Sequence, residues 1–268
     1  VNRIRKAVVL AAGLGTRMRA ADTGSLDPAQ AHAADAGLKA MMPFGRPFLD
    51  FALDALADAG IAEVCLVIGP AHDAIRRYYE HLRTDRLAIS FAVQQEPRGT
   101  ADAVRAARAF SADDFFLALN ADNLYPVEAC RMLAAQGAAA TAAFSRAGLL
   151  RDGQIAPERI AAFALIESAD GRLTRVREKP GAAAVAEAGE DAYVSMNLWA
   201  LPPDIHHVID VLPPSPRGEL ELPLAVQALV DRGVPFTVFY FDAAVLDLSQ
   251  RSDVAFVAAR LQGRQVSL

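Results

Sequence analysis

The chain has 268 residues, a formal net charge of −5, 53% hydrophobic and 22% charged residues. This composition excludes a disordered or low-complexity chain, and the length suffices to bury a sizeable α/β core. The acidic balance argues against nucleic acid and anionic membrane as partners, and no apolar run is long enough to cross a bilayer.

A basic start, Arg3, Arg5 and Lys6, leads into an apolar run at 7–12. Gly13-Leu14-Gly15 breaks it too early for a secretory leader, so 6–10 reads as a strand. Segment 20–38, rich in Ala, Asp and Gly, reads as a long loop with one helical turn, and loops of that length are usually functional. Further strands are predicted at 63–68, 88–93, 115–119, 138–144, 161–166, 173–178, 192–200 and 236–241. Helices are predicted at 48–59, 72–81, 100–109, 126–135, 220–231 and 249–261. The alternation of short apolar runs with amphipathic ones predicts an α/β fold of Rossmann-like type. Its sheet is mixed but mainly parallel, with helices on both faces and a small antiparallel excursion within 161–200. One domain is expected over 1–268, and little room remains after Ser249 for another. Cys65 and Cys130 lie in apolar surroundings without ligand spacing, which predicts reduced core thiols and a cytoplasmic location. His206 and His207 are expected on a solvated surface helix, and Trp199 in the core.

Three segments bring chemistry to strand ends. After the first strand, Ala11, Ala12, Gly13, Leu14, Gly15 and Thr16 form a Gly-rich turn whose N–H groups suit phosphate oxygens, and Arg17 adds a charged fork. A dinucleotide loop would need Gly or Ala in place of Met18 and an acidic strand end about twenty residues on, which segment 20–38 does not supply. After the strand at 88–93, Gln94 precedes a turn that opens a helix at Gly99-Thr100, where Thr100 is the expected N-cap. The apolar strand at 115–119 delivers Asp122 to its C-terminal end, where ligands collect in open α/β sheets. A carboxylate there suits Mg²⁺ bridging phosphate oxygens, or else caps the helix that follows Pro126.

In this order, with Lys39-Ala40-Met41-Met42-Pro43, Glu178-Lys179-Pro180 and Val245-Leu246-Asp247, these segments resemble the sugar-1-phosphate nucleotidyltransferase (NDP-sugar pyrophosphorylase) family. That family includes the glucose-1-phosphate thymidylyl- and uridylyltransferases. The resemblance implies a nucleotide-diphospho-sugar transferase fold with a sugar-binding excursion at about 145–215. It implies that Arg17, Lys39 and Lys179 contact phosphates, that the Gly-rich turn, Gln94 and Gly99 hold the nucleotide, and that Thr100 and Asn123 bind substrate. Glu178 and Asn197 would hold the sugar, and Asp122 and Asp247 would hold Mg²⁺. Two departures stand out: the stretch from Arg17 to Lys39 is about twice the family's length, and Leu38 replaces the proline usual before the lysine.

The activity so implied is transfer of a nucleotidyl group from an NTP, UTP or dTTP before ATP, to a sugar 1-phosphate, giving an NDP-sugar and pyrophosphate. Transfer to a non-sugar phosphorylated acceptor, glycosyl transfer, and non-catalytic sugar-nucleotide binding in regulation stay open on the residues alone, as does homo-oligomerisation.

Overall fold

The structure, a computed structural model, describes residues 3–20, 24–189 and 191–268. The chain opens with β1 (Lys6–Leu10), α1 (Thr16–Arg19), α2 (Pro28–Asp35), a 3₁₀ turn (Lys39–Met41) and α3 (Phe48–Asp58). There follow β2 (Glu63–Ile68), α4 (Asp73–His81), β3 (Ala88–Val93), α5 (Thr100–Ala106), α6 (Arg108–Ser111), β4 (Phe116–Asn120), β5 (Asn123–Leu124) and α7 (Val127–Gln136). The middle comprises β6 (Ala140–Ser145), α8 (Arg146–Arg151), α9 (Pro157–Ile160), β7 (Leu165–Ala169), β8 (Arg172–Arg177), α10 (Gly181–Glu187) and β9 (Tyr193–Leu201). The last elements are α11 (Ile205–Asp210), α12 (Leu222–Asp231), β10 (Thr237–Phe241), β11 (Leu246–Asp247) and α13 (Asp253–Leu261).

The central strands alternate between two cores because successive side chains point to opposite faces. Ala7, Val9, Val64, Leu66, Leu117 and Leu119 enter one core, packed by Phe48 and Leu53 of α3 and Leu133 of α7. Val8, Cys65, Val67, Phe116 and Ala118 enter the other, packed by Val104 of α5, Val208 of α11 and Val226 of α12. Strands apolar on both faces must be covered on both, which is why helices flank the sheet on each side. Burial pushes the Cys65 thiol up to about 11 and Cys130 up to about 12, so neither is a reactive thiolate. No helix among the described residues is long and apolar enough to cross a membrane.

The main sheet runs β3-β2-β1-β4-β9-β6-β10-β8-β7. Strands β3, β2, β1 and β4 are mutually parallel, and β9 is inserted antiparallel between β4 and β6. The expected mixed, mainly parallel sheet and its antiparallel excursion are both present. The excursion also curls back: β7 pairs antiparallel with both β8 and the start of β9, through Leu165↔Val194 and Ile166↔Tyr193, so β7 is no bare edge. The β6–β9 register jumps from Thr141↔Trp199 to Ala143↔Ser195. The surplus on β9 forms a bulge in which Asn197 has φ +60°.

Local chemistry moves several boundaries. Segment 20–38 is not merely a loop with one turn: it holds the eight-residue helix α2. Asp27 and Gln30 form a reciprocal capping box around Pro28, a helix start written in the sequence as Asp-Pro-x-Gln. The strand expected at 161–166 starts only at Leu165, because Pro157 at a helical first position starts α9 instead. The helix expected at 100–109 breaks at Ala107, whose carbonyl accepts from Ser111 N at 3.1 Å. Thr100 is not the N-cap; Gly99 is, and Thr100 Oγ1 accepts from Leu222 N at 2.9 Å. Gly99 has φ +112°, and a Cβ there would lie 2.5 Å from Leu220 O, so only glycine lets these two segments cross. His206 is buried rather than solvated. It stacks on Phe116, its Nε2 lies 2.7 Å from Ser111 Oγ, and burial pushes it down to about 4. Trp199 is fully buried, as expected.

Asp50 of α3 is a buried carboxylate whose place is held by hydroxyls. Tyr79 Oη donates to it at 2.8 Å, Tyr78 Oη at 3.1 Å, and Arg46 lies at 3.4 Å. Removing one donor leaves a buried oxygen short of a partner. Tyr79→Phe is therefore expected to lower stability by about 1–3 kcal/mol in urea denaturation, with an unchanged m-value.

Candidate functional site

Strands β1 and β4 are adjacent and parallel, so the turns at their C-terminal ends meet. The turn after β1 approaches the end of α2 closely. At Gly15, φ +63°, a Cβ would lie 2.3 Å from Gly37 O, so the two glycines set the Gly-rich turn directly against the inserted segment. The N–H groups of Gly13, Leu14 and Gly15 make no hydrogen bond within the protein among the described residues. Arg17 is likewise without an ion pair there. A run of free N–H groups beside a free guanidinium is an anion cradle.

Asp122 follows β4, and β5 then pairs antiparallel with β11, setting Asn123 opposite Asp247. Leu248 N donates to Asp122 O at 2.9 Å, which closes the junction. The two carboxylates are thus brought together, and each has its own cation. Lys39 Nζ contacts Asp122, and Arg159 contacts Asp247 while also reaching Asp253 at 2.6 Å. Ser249 Oγ donates to Asp247 at 2.9 Å. Burial raises the Asp247 carboxyl above its usual range, and the negative charge of Asp122 adds to the rise. Asp122 does not cap the following helix, whose N-cap is Pro126 without a side-chain bond. Two adjoining carboxylates in a partly dry site match the oxygen donors of a hard dication. Among the described residues no group of three or more His, Cys, Asp or Glu could hold a metal. A cation here would thus complete its shell from ligand oxygens and water.

Beyond these aspartates the cavity opens toward Glu178, Lys179, Ser195 and Asn197, in a volume of about 400 Å³. Lys179 Nζ lies 2.5 Å from Glu221 and 3.4 Å from Glu178. Burial pushes Glu178 up to about 7, and the Glu221 charge contributes to that rise. Lys179 has φ +43° and Asn197 φ +60°, two side-chain-bearing residues in the left-handed region on the same lobe. Asn197 Oδ1 accepts from Trp199 Nε1 at 3.1 Å, which orients its amide. Asn123 Oδ1 accepts from Asn120 Nδ2, and Asn123 Nδ2 is an enclosed donor with no partner among the described residues.

A second lobe of about 460 Å³ shares Gly13, Lys39, Thr100 and Asp122 with the first and extends past Ala11 and Ala12 to Gln94 and Gly99. Gln94 is buried, and its Nε2 donates to Gly99 O at 3.0 Å and to Asp102 Oδ2 at 2.9 Å.

A family model described as "Nucleotidyl transferase" matches residues 6–257, from the first residue of β1 into α13. The chain belongs to that nucleotidyl transferase family. Among curated relatives it is 30% identical over 234 residues to the glucose-1-phosphate thymidylyltransferase of Streptomyces griseus, covering 85% of this chain and 58% of the relative. It is 27% identical over 260 residues to the UTP–glucose-1-phosphate uridylyltransferase of Haloferax volcanii, covering 96% of both. The chain therefore spans little more than half the length of its Streptomyces relative. A solved UDP-glucose pyrophosphorylase complexed with UDP-glucose superposes with a TM-score of 0.76, covering 97% of this chain and 100% of that one, at 18% identity. At that identity the likeness speaks for the fold.

All the residues singled out from this family's motifs line one or other lobe. Arg17, Lys39, Asp122, Asn123, Glu178, Lys179, Asn197 and Asp247 line the first, with Gly13, Leu14, Gly15, Thr16 and Thr100. Ala11, Ala12, Gln94 and Gly99 line the second. Several neighbours were not anticipated. Arg159 on α9 neutralises Asp247, and Glu219 and Glu221 line the first lobe ahead of α12. The alternation Arg217-Gly218-Glu219-Leu220-Glu221 just before an apolar helix was the available sign: Glu221 is buried and belongs to the charged wall.

The raised Glu178 carboxyl makes stability depend on pH. Its folded value, about 7, exceeds its ordinary value of 4.5, so the folded protein holds the proton more tightly. The associated stabilisation is full below pH 4.5 and is lost as pH rises through about 7. Glu178→Gln is expected to flatten the stability profile across that window and to be the more stable protein at pH 8, by up to about 3 kcal/mol. Urea denaturation at four pH values checks this.

Proposed function

We propose that this chain transfers a nucleotidyl group from a nucleoside triphosphate, UTP or dTTP in preference to ATP, to a sugar 1-phosphate, giving an NDP-sugar and pyrophosphate. The observation that carries this reading is the convergence of three sites at one sheet end. These are an anion cradle with Arg17 and Lys39, a joined pair of carboxylates, and a polar lobe with its own lysine. A nucleotide alone would not need the third. Both curated relatives described above carry names of sugar-1-phosphate nucleotidyltransferases, which supports the same reading.

In this reading the phosphate oxygen of the sugar 1-phosphate attacks the α-phosphorus in line, and pyrophosphate leaves. The protein's part is positioning and charge neutralisation. The free N–H groups of Gly13, Leu14 and Gly15, with Thr16 and Arg17, hold the leaving phosphates. Lys39, now on Asp122, turns to a phosphate when ligand arrives. Lys179 leaves Glu221 to hold the phosphate of the attacking sugar, and Glu178 and Asn197 orient its hydroxyls. The Gln94 lobe, with Ala11, Ala12, Gly99 and Thr100, receives the nucleoside. Asp122 and Asp247 would hold Mg²⁺, which when bound neutralises the phosphate oxygens. The chain then acts as one nucleotidyltransferase unit whose segment 145–215 supplies the sugar lobe.

Pyrophosphate release over a grid of nucleoside triphosphates and hexose 1-phosphates, with Mg²⁺, tests the reading. Release is expected with UTP or dTTP and one sugar, and it stops on adding EDTA. Asp122→Asn is expected to lower turnover by roughly 10³-fold or more with the protein still folded by circular dichroism. A variant of near-normal rate would remove Asp122 from the reaction.

A further inference from the structure

Gln94 sits just past β3, anchored by its backbone N–H to Ile68 O at 2.9 Å. Its side-chain nitrogen uses both hydrogens inside the protein, on the Gly99 carbonyl and on Asp102 Oδ2. A carbonyl and a carboxylate only accept, so the amide cannot turn over without setting its oxygen against two acceptors. Asp102 is itself held, because Arg105, one turn along α5, pairs with its other oxygen. Both Gln94 and Asp102 are buried, so water is a poor substitute for these bonds. What remains is Gln94 Oε1, which makes no hydrogen bond among the described residues and yet is not an enclosed atom. Ala12 and Gly99 line the same lobe, and their N–H groups are also without partners in the protein among the described residues.

We propose that Asp102 is a positioning residue that fixes Gln94 as a hydrogen-bond acceptor and so selects a pyrimidine with an imide N–H, uracil or thymine. The inference rests on the reading of this lobe as the nucleoside site. An imide N–H lies between two carbonyls: it donates to Gln94 Oε1, and the carbonyls take backbone N–H groups such as those of Ala12 and Gly99. Cytosine presents a bare ring nitrogen at the same place, and adenine does so on its corresponding edge. Each would oppose lone pair to lone pair, and a buried site leaves such a mismatch uncompensated. A glutamine free to rotate would instead present its NH₂ group to cytosine and accept either base.

The test measures dissociation constants of UTP, dTTP and CTP by calorimetry on the full chain with Mg²⁺, for wild type, Asp102→Ala and Asp102→Asn. Wild type is expected to bind UTP or dTTP roughly 30-fold or more tightly than CTP. In Asp102→Ala that ratio is expected to fall by about tenfold, largely through a gain in CTP affinity, because the amide is released. Asp102→Asn keeps the side chain's shape but leaves one oxygen for both Arg105 and Gln94. It serves where the alanine variant fails to fold, and a fall in the ratio of about threefold is expected. A purely structural Asp102 would weaken all three nucleotides alike, and an unchanged ratio in a folded variant overturns the proposal. Wild-type indifference between UTP and CTP overturns it while leaving the nucleoside site in place. Failure of folded wild type to bind any nucleotide overturns the site reading as well.

Discussion

The arrangement of this site depends on forcing two carboxylates, Asp122 and Asp247, into the same place. One comes from the middle of the chain and the other from near its C-terminal end, and they are joined by a ladder of only two residues per strand, β5 with β11. Burial pushes the Asp247 carboxyl up, and repulsion from the neighbouring Asp122 charge adds to that push. The fold offsets this with one cation for each. Lys39 is delivered by the segment that follows α2, and Arg159 by the short helix α9. Arg159 is tied in turn to Asp253 at the start of α13, so the final helix, the short helix α9 and the aspartate junction form one network. Buried networks of this kind tolerate little rearrangement of any single member.

The same end of the sheet concentrates backbone strain. Lys179 and Asn197, both with positive φ, sit on the first lobe, and Gly15 and Gly99 make approaches that any Cβ would block. Asn197 owes its conformation to the bulge in β9, the strand that runs against its neighbours β4 and β6. Early in its course β9 is flanked by β7, and late by β4, so the changeover falls at the bulge. Strain of this sort is tolerated where surrounding packing over-determines it, and Trp199, fully buried two residues on, supplies that packing.

The inserted segment between the Gly-rich turn and Lys39 is part of the wall and not an appendage. Its helix ends against Gly15 through Gly37, and Arg19 Nη2 donates to Ala36 O at 2.8 Å. Arg251 beyond β11 reaches both Met18 O at 3.0 Å and Asp35 at 2.5 Å. The Gly-rich turn, the insert and the region of Asp247 are thereby braced against one another.

How much was legible in the sequence differs between local and long-range features. The short continuous apolar runs of β1, β2 and β4 are a local pattern, and with them come the two-faced sheet and the strand ends that present the Gly-rich turn and Asp122. The site residues were legible because each sits in a short motif whose backbone job, a glycine turn or a strand end, is local too. Helix α2 was equally local, in its Asp27/Gln30 capping box around Pro28, although a run of small residues hides it. What the tertiary structure alone decided are the pairings across distance. These are Arg159 with Asp247, Glu221 with Lys179, Asp102 with Gln94, and the burial of His206 against Phe116 and Ser111. Each joins residues whose own neighbours in sequence give no reason to meet. Charge and hydrogen-bond partners are chosen by packing in three dimensions, whereas the sequence by itself determines periodicity, turns and caps, which depend only on residues within a few positions of each other.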